Sequence, residues 1–205
     1  MKEENSLKVK LPNDLIMIDS TLLSTRRIKI YRYLLSLIKN TKPDTNGLYN
    51  TTLLNIKNLY GIQRYSDIKK ELILLQNIQL TINLEKLTSV SSLISQIDFY
   101  KDNTIKIQFP FNILEIINNS EKYKISFAYF ELKLIANIKS KYTLLIYEKI
   151  LKTYNPIKSY IEIPKYSIEL FKKWMGIENI NSQSIQYLKN KVLDVAAKEI
   201  KEETD

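Results

Sequence analysis

Two glycines 115 positions apart constrain the fold of this chain more than any other feature of it (176 − 61 = 115). Leu53 to Ile62 (LLNIKNLYGI) recurs in outline at Ile168 to Ile177 (IELFKKWMGI), with Gly61 and Gly176 in the same place. Upstream of each copy lies a second matched pair, Ile30 to Leu35 (IYRYLL) and Ile146 to Leu151 (IYEKIL), at nearly the same offset (146 − 30 = 116). A chain with this register is one small unit built twice, each copy running helix, helix, glycine turn, helix. Glycine closes such a turn because it takes φ > 0 without steric cost. Helices joined in this way present the third one outward, the outline of a helix-turn-helix domain.

The charge points the same way. Over 205 residues, enough for two domains of roughly 100 each, Lys and Arg number 31 against 22 Asp and Glu, a net charge of +9. Such a surface attracts polyanions at moderate salt, and DNA, RNA and anionic membrane all fit on charge alone. A Lys-, Ile- and Asn-rich chain from an AT-rich genome is equally basic for no functional reason. Cysteine and histidine are both absent, so thiol nucleophiles, thiolate metal sites and His-based acid, base or triad chemistry are excluded. Zinc would have to rest on carboxylates alone. With only Gly47, Gly61 and Gly176, neither GxxxxGK nor GxGxxG can be written. The expectation is a non-enzyme with no catalytic residue, metal or cofactor. MKEENSLKVK holds no signal-peptide core, and no apolar run approaches the about 20 residues that cross a bilayer, so a soluble, intracellular protein without a membrane partner is expected.

The fold class expected is α+β, mainly helical: two tandem winged-helix domains related by internal duplication. Residues 1–20 form an N-terminal arm, loose over Met1 to Lys10 with a short strand or turn at Leu11 to Ile18; residues 21–119 form the first domain and 120–205 the second. Ser24 or Thr25 caps a long helix to Asn40 with Ile28, Tyr31, Leu35 and Ile38 at helical spacing. Thr51 or Thr52 opens the next helix, and Ser66 caps a third carrying Ile68, Leu72 and Leu75. The period-two pattern of Ile78 to Leu84 reads as a strand, followed by strands at Ser92 to Tyr100 and Thr104 to Phe109 around a Lys101-Asp102-Asn103 turn. Three helices and a hairpin describe a winged helix. Phe111 to Asn119 makes a connecting helix, and Phe130 to Tyr154 makes one or two more, broken near Lys139-Ser140. Ile161 to Ile163 suits a strand and Ser167 to Met175 the helix before Gly176. Ser182 or Ser184 caps a last helix with no strands after it, so the second domain lacks its wing.

Faces follow from the 100° step of a helix. On the last helix Ile185, Leu188, Val192 and Ala196 gather on one side, with Val195 and Ile200 at its margins. Gln183, Tyr187, Asn190, Asp194 and Lys201 lie opposite, flanked by Gln186, Lys191 and Lys198. Gln and Asn pair bidentately with adenine in the major groove, and Lys reaches guanine or phosphate. Lys189 falls nearer the apolar side, extending its stem over the core towards a phosphate. Asp194 repels phosphate unless it accepts from cytosine N4. A merely solvated polar face is the plain alternative. In the first domain Ser66, Lys70 and Asn77 share the outer side with Leu74, which suits protein contact better than base reading; Arg64, Lys69 and Lys70 are candidates for phosphate. Tyr31 and Tyr147 occupy matched places and, like Trp174, are expected in the core. Glu202, Glu203 and Asp205 are a solvated end, not a metal site.

The runs SKYTLLIYEKILK (Ser140 to Lys152), SIELFKKWMGI (Ser167 to Ile177) and YLKNKVLDVAAKEIKEETD (Tyr187 to Asp205) resemble the initiator proteins of theta-replicating, iteron-containing plasmids. The pattern of that family is SKY with LYE, a leucine-rich helix ending in LGI, and a stretch close to FKxxVLxxAxxEINxxTD. The resemblance is collinear from Leu22 onward and covers nearly the whole chain. It implies tandem winged-helix domains that bind double-stranded DNA at direct repeats (iterons) of a plasmid origin. It further implies a monomer that opens the origin and helps recruit the host initiator and replicative helicase, and a dimer that represses its own promoter. A monomer–dimer equilibrium in the bacterial cytoplasm follows. The family's base-reading helix corresponds to Ser184 to Lys201 and its basic cluster to Lys189, Asn190 and Lys191, with Asn190 standing at a family arginine position. Family members continue past TD into a basic hairpin, whereas this chain ends at Asp205. Two other classes fit the residues. A winged-helix transcriptional regulator would bind a palindrome at a promoter. A protein-interaction module would bind duplex DNA weakly and without regard to sequence.

Overall fold

A computed structural model of the chain describes residues 8–12, 23–84, 87–119, 127–155, 160–161, 166–177 and 185–204. Its spine is α1 (Thr25–Asn40), started by Ser24, whose hydroxyl accepts from the Arg27 N–H at 3.1 Å. From Ile28 to Ile38 every side chain but that of Lys29 is buried, the signature of a helix packed on all sides. Around it sit α2 (Leu53–Tyr60), α3 (Tyr65–Gln76) and elements of the second unit.

Each unit repeats the same local chemistry. Thr52 caps α2 by accepting from the Asn55 N–H at 3.1 Å, and Ser167 caps α7 (Ile168–Met175) by accepting from the Leu170 N–H at 3.2 Å. Gly61 (φ 63°) and Gly176 (φ 66°) end the two helices in the left-handed region. The next residue then sends its N–H back to the helix, Ile62 to Lys57 O at 3.2 Å and Ile177 to Lys172 O at 3.0 Å. Both isoleucines are buried, the apolar contact that accompanies such a stop.

The first unit is a winged helix whose three-stranded sheet has the order β2-β6-β5, with β2 (Tyr49–Thr52), β5 (Gln96–Phe99) and β6 (Thr104–Gln108) antiparallel. Three features differ from expectation. Tyr49–Thr52 is a strand running into the Thr52 cap, too short for its alternation (Tyr49 and Thr51 buried, Asn50 exposed) to stand out. The expected strand Ser92 to Tyr100 is divided: Ser92 ends β4 (Leu87–Ser92), which pairs with β3 (Gln79–Leu84) as a separate hairpin, and β5 begins after Leu93 and Ile94 are buried at the bend. In β4 polarity is inverted, since Asn112 bonds both Ser89 (2.9 Å) and Ser91 (3.0 Å) while Val90 is 58% exposed. Hydrophobic periodicity therefore gave no sign of it. Third, Ser66 does not cap α3; Arg64 takes the cap position and makes no side-chain capping bond. The Lys101-Asp102-Asn103 turn is present, with Asn103 at φ 66°.

After α4 (Phe111–Asn118) comes β7 (Phe127–Glu131), so Phe130 lies in a strand instead of opening a helix. Its partner is β1 (Lys8–Pro12), which places Lys8 to Lys10 in a sheet and not in a loose arm. Then follow α5 (Leu132–Asn137) and α6 (Lys141–Thr153), broken at Lys139-Ser140 as expected, and the short pair β8 (Tyr154–Asn155) and β9 (Tyr160–Ile161). Glu162 and Ile163, the rest of the strand expected there, lie outside the described residues. The chain closes with α8 (Ile185–Leu188), a π turn (Lys189–Leu193) and α9 (Asp194–Thr204), and no strand follows among the described residues.

Two contacts between the units have the reciprocity of a local twofold axis. In the β1–β7 ladder Leu11 faces Ala128 and Pro12 faces Phe127, and the 116-residue offset carries Leu11 onto Phe127 and Pro12 onto Ala128. Such reciprocal pairing is the mark of an isologous contact. A second point on the axis is Arg32, which grips Glu148 at the matched place in the second copy, 116 residues on.

Candidate nucleic-acid interface

The outward helix of the second unit is fastened by Leu188, Val192 and Ala196, all buried. Their four-residue spacing is kept in line by the π turn, whose i→i+5 bonds add a residue to one turn and recur at functional sites. That spacing accounts for two departures from expectation. The stripe of Leu188, Val192 and Ala196 leaves Ile185 outside it, 70% exposed instead of buried. Within the wider turn Lys189 is exposed together with Asn190 and Lys191, three consecutive side chains in solvent. Val195 is exposed, while Ile200 packs against the core.

The exposed face holds most of the expected residues together. The Gln186 side-chain amide donates to Asn190 Oδ1 at 2.9 Å, one helical turn away, which fixes the two exposed amides relative to each other. Tyr187 is 43% exposed beside them. Lys198 lies further along, 3.9 Å from Glu202, and Asp194 is exposed in between. Gln183 and Ser184 lie outside the described residues.

A residue that spacing alone did not single out positions this face. Glu199, on the inner side of α9, accepts from the Lys139 N–H and from the Ser140 N–H (3.3 Å), at the start of α6. A carboxylate there satisfies orphan amide donors and meets the positive end of the helix dipole. Ser140 adds its own cap, accepting from the Thr143 N–H at 3.3 Å. Lys29 of α1 donates to Ala136 O at 2.5 Å; burial pulls its pKa below the ordinary lysine range, opposed by the charges of Glu199 and Glu203. The only sequence mark of Glu199 was its place in the terminal stretch AAKEI.

The first unit presents a different surface. Arg64, Ser66 and Lys70 are exposed near the start of α3. Lys69 is half-buried with its ammonium 5.4 Å from the centre of the Phe99 ring, which ties α3 to the wing. On the other side Asp67 and Glu71 are paired with α1, Glu71 to Arg27 at 2.5 Å and Asp67 to Arg26 at 3.9 Å. Leu74, expected on the outer side, is half-buried; the apolar side chain in solvent is Ile73, 48% exposed. Tyr31 and Tyr147 are buried, and Trp174 packs on the core from a half-buried position with Phe171 and Tyr166. Among the described residues no group of three or more acidic side chains is placed to hold a metal, and no helix is long and apolar enough to cross a membrane.

Comparison with known proteins supplies the family. A comparison with curated protein sequences returns no match. Among solved structures, the Pi initiator protein in complex with iteron DNA is similar over 98% of this chain and 88% of that one, at 18% identity and a TM-score of 0.69. The WH1 domain of MSBI1.176, a replication protein isolated from a multiple sclerosis patient, matches over 54% of this chain and 97% of its own at 19% identity, but with a TM-score of 0.37. The family model described as "Initiator Replication protein, WH1" matches residues 8–151, reaching through most of α6. A second, "Initiator Rep protein, WH2", matches residues 167–205. With both winged-helix modules in order along its length, the chain belongs to the initiator replication protein family.

Proposed function

We infer that this initiator binds the tandem direct repeats of a plasmid origin as double-stranded DNA, with the second unit reading bases and the first gripping backbone. The observation that carries this is the Gln186–Asn190 pair beside Lys189 and Lys191, on a helix whose opposite stripe is buried. A reading helix must be rigid and present amides and cations to base edges. Gln183, Ser184, Tyr187 and Lys198 extend that face, and Arg64, Ser66, Lys69 and Lys70 of the first unit contact phosphate. The units divide at residues 119 and 120. The protein acts without catalysis in the bacterial cytoplasm, recruits the host initiator and replicative helicase once the origin opens, and dimerises to repress its own promoter.

The test is fluorescence anisotropy with an origin-repeat duplex and a scrambled one. Asn190→Ala is expected to cost ~1–3 kcal/mol on the repeat and little on the scrambled duplex. Lys191→Ala is expected to weaken both and to flatten the salt dependence by about one unit of slope if it contacts phosphate. Unchanged discrimination in the double variant would remove the base-reading assignment.

A further inference from the structure

The best-buried charges in the described structure lie far from the outward face. Arg32 and Glu148 form a side-on pair, Nε to Oε1 at 2.6 Å and Nη2 to Oε2 at 2.9 Å, with side chains 2% and 1% exposed. Burial opposes the guanidinium charge, but the charge and hydrogen bonds of Glu148 outweigh it and hold the Arg32 pKa above its ordinary range. The pair is bidentate, and its two bonds fix the plane of one group against the other. Because it joins matched positions of the duplicated helices, it sits on the twofold axis. With two parallel bonds, the pair resists rotation of one unit against the other at this point.

We propose that Arg32 and Glu148 are positioning residues that set the angle between the two DNA-binding units, and so the spacing of the two DNA segments one chain can hold together. The proposal rests on the reading that both units contact DNA. Three features of the structure support this role over simple stabilisation. A buried ion pair is poor value for stability, since apolar side chains of similar volume fill the space as well or better, whereas it is demanding in geometry. The β1–β7 ladder fixes the axis at one place by backbone bonds, and the ion pair supplies a second point, as two points are needed to define a line. One helical turn from Arg32, Lys29 holds the C-terminal carbonyl of Ala136 from the same helix, close to the charges of Glu199 and Glu203 on α9. One face of α1 thus carries the axial ion pair and a bond to α5, which in turn packs against the helix that carries the proposed reading face.

The experiment compares the wild type with Arg32→Met/Glu148→Leu, which fills the site without directional bonds, and with Arg32→Glu/Glu148→Arg, which reverses the pair across the axis. Each is titrated with origin-repeat duplexes carrying insertions between the segments covered by the two units, up to about 5 base pairs, half a helical turn. Two linked modules that engage together bind on the order of 10²-fold tighter than one alone. The wild type is therefore expected to lose on the order of 10²-fold at the half-turn insertion, the apolar variant roughly tenfold or less, and the reversed pair nearly as much as the wild type. Urea unfolding confirms that each variant is folded. If the apolar variant does not fold, Glu148→Gln, which keeps the volume and loses the charge, must broaden the spacing profile in its place.

A DNA-free readout runs in parallel. The chain has no cysteine, so spin labels at Lys101→Cys and Glu202→Cys report the distance between units directly. The distribution is expected to widen in the apolar variant and to narrow again in the reversed one. A folded apolar variant with the spacing profile and label distances of the wild type overturns the proposal. So does a wild type that binds the repeat but ignores insertions. A wild type that does not distinguish repeat from scrambled duplex refutes the function inferred above instead, and the label distances then still decide the role of the pair.

Discussion

Replacing Glu199 tests how the outward helix is held without touching its outer face. The Glu199 carboxylate spans the Lys139 and Ser140 amides at the start of α6, while α9 packs along α6 and α5. Loss of a capping acceptor costs about 1 kcal/mol, within a range of about 0.5–2. Loss of a carboxylate at a helix N-terminus costs a further ~0.3–1 kcal/mol, and the better helix propensity of Ala returns a few tenths, ~0.3 kcal/mol. Ser140 still caps Thr143, so the helix start is not left bare. Glu199→Ala is therefore expected to destabilise by ~1–2 kcal/mol. Glu199→Gln keeps an acceptor but gives up the charge, which contributes roughly half of such a bond, so about half that loss is expected.

Urea unfolding at constant m gives the stability difference, and amide exchange locates it. The Lys139 and Ser140 amides are expected to lose protection in the Ala variant. DNA affinity should fall with sequence preference intact, since no base contact has been removed. Two results would refute the reasoning: wild-type exchange at both amides in Glu199→Ala, or a Gln variant as unstable as the Ala variant. A rise in affinity for all duplexes would mean that Glu199 acts as a repulsive charge near phosphate and not as a fastening.

Two further outcomes concern tyrosine. Among the described residues the buried Tyr31 hydroxyl has no hydrogen-bond partner, so Tyr31→Phe is expected to be neutral or to stabilise by ~1 kcal/mol; a loss above about 1 kcal/mol would show that the hydroxyl has a partner. Burial raises the phenol pKa values of Tyr31 and Tyr60 above their ordinary 10.0. Their contribution to stability is therefore complete below that pH and is lost as pH rises towards the folded values, by up to ~1.4 kcal/mol per pH unit for each. Lys29, whose pKa burial lowers from 10.5, works in the opposite sense below that value. Urea midpoints are expected to drop steeply above pH 10.5, with part of the tyrosine absorbance change appearing only on unfolding. A midpoint unchanged between about pH 9 and about pH 11 would contradict the burial of these phenols.

What the sequence revealed and what it hid follow one physical division. Caps, glycine stops and buried stripes act through neighbours a few residues away, so α1, α2, α7 and both glycine turns could be read directly. The β4 strand could not, because its inward residues are serines satisfied by Asn112, and that bond exists only after α4 is in place. Ile185 and Lys189 were assigned to the wrong faces because a constant 100° step has no place for a π turn. The exposed amides of Gln186 and Asn190 were found from residue type and phase, whereas Glu199 acts on a helix start 59 residues earlier along the chain and no local pattern connects the two. Arg32 and Glu148 were both visible in the matched segments IYRYLL and IYEKIL, yet their meeting depends on a symmetry axis that only the fold creates.

Carrying both copies in one chain lets matched positions on that axis differ. In a symmetric dimer the residue on the axis meets its own copy, so position 32 would set arginine against arginine or glutamate against glutamate, a buried like-charge contact that the desolvated site could not hold. Joining the copies covalently frees the two positions to differ, and opposite charges then become possible where they are most useful. The same freedom has separated the outward helices. On α3, Asp67 and Glu71 are paired back to Arg26 and Arg27 and Lys69 is tied to Phe99, while the second unit carries paired amides and adjacent lysines in solvent. Two identical heads related by a twofold axis demand a palindrome. On the function proposed above, two unlike heads held at a fixed angle take a site with a direction, and sites with a direction are the ones that can be laid head to tail as direct repeats.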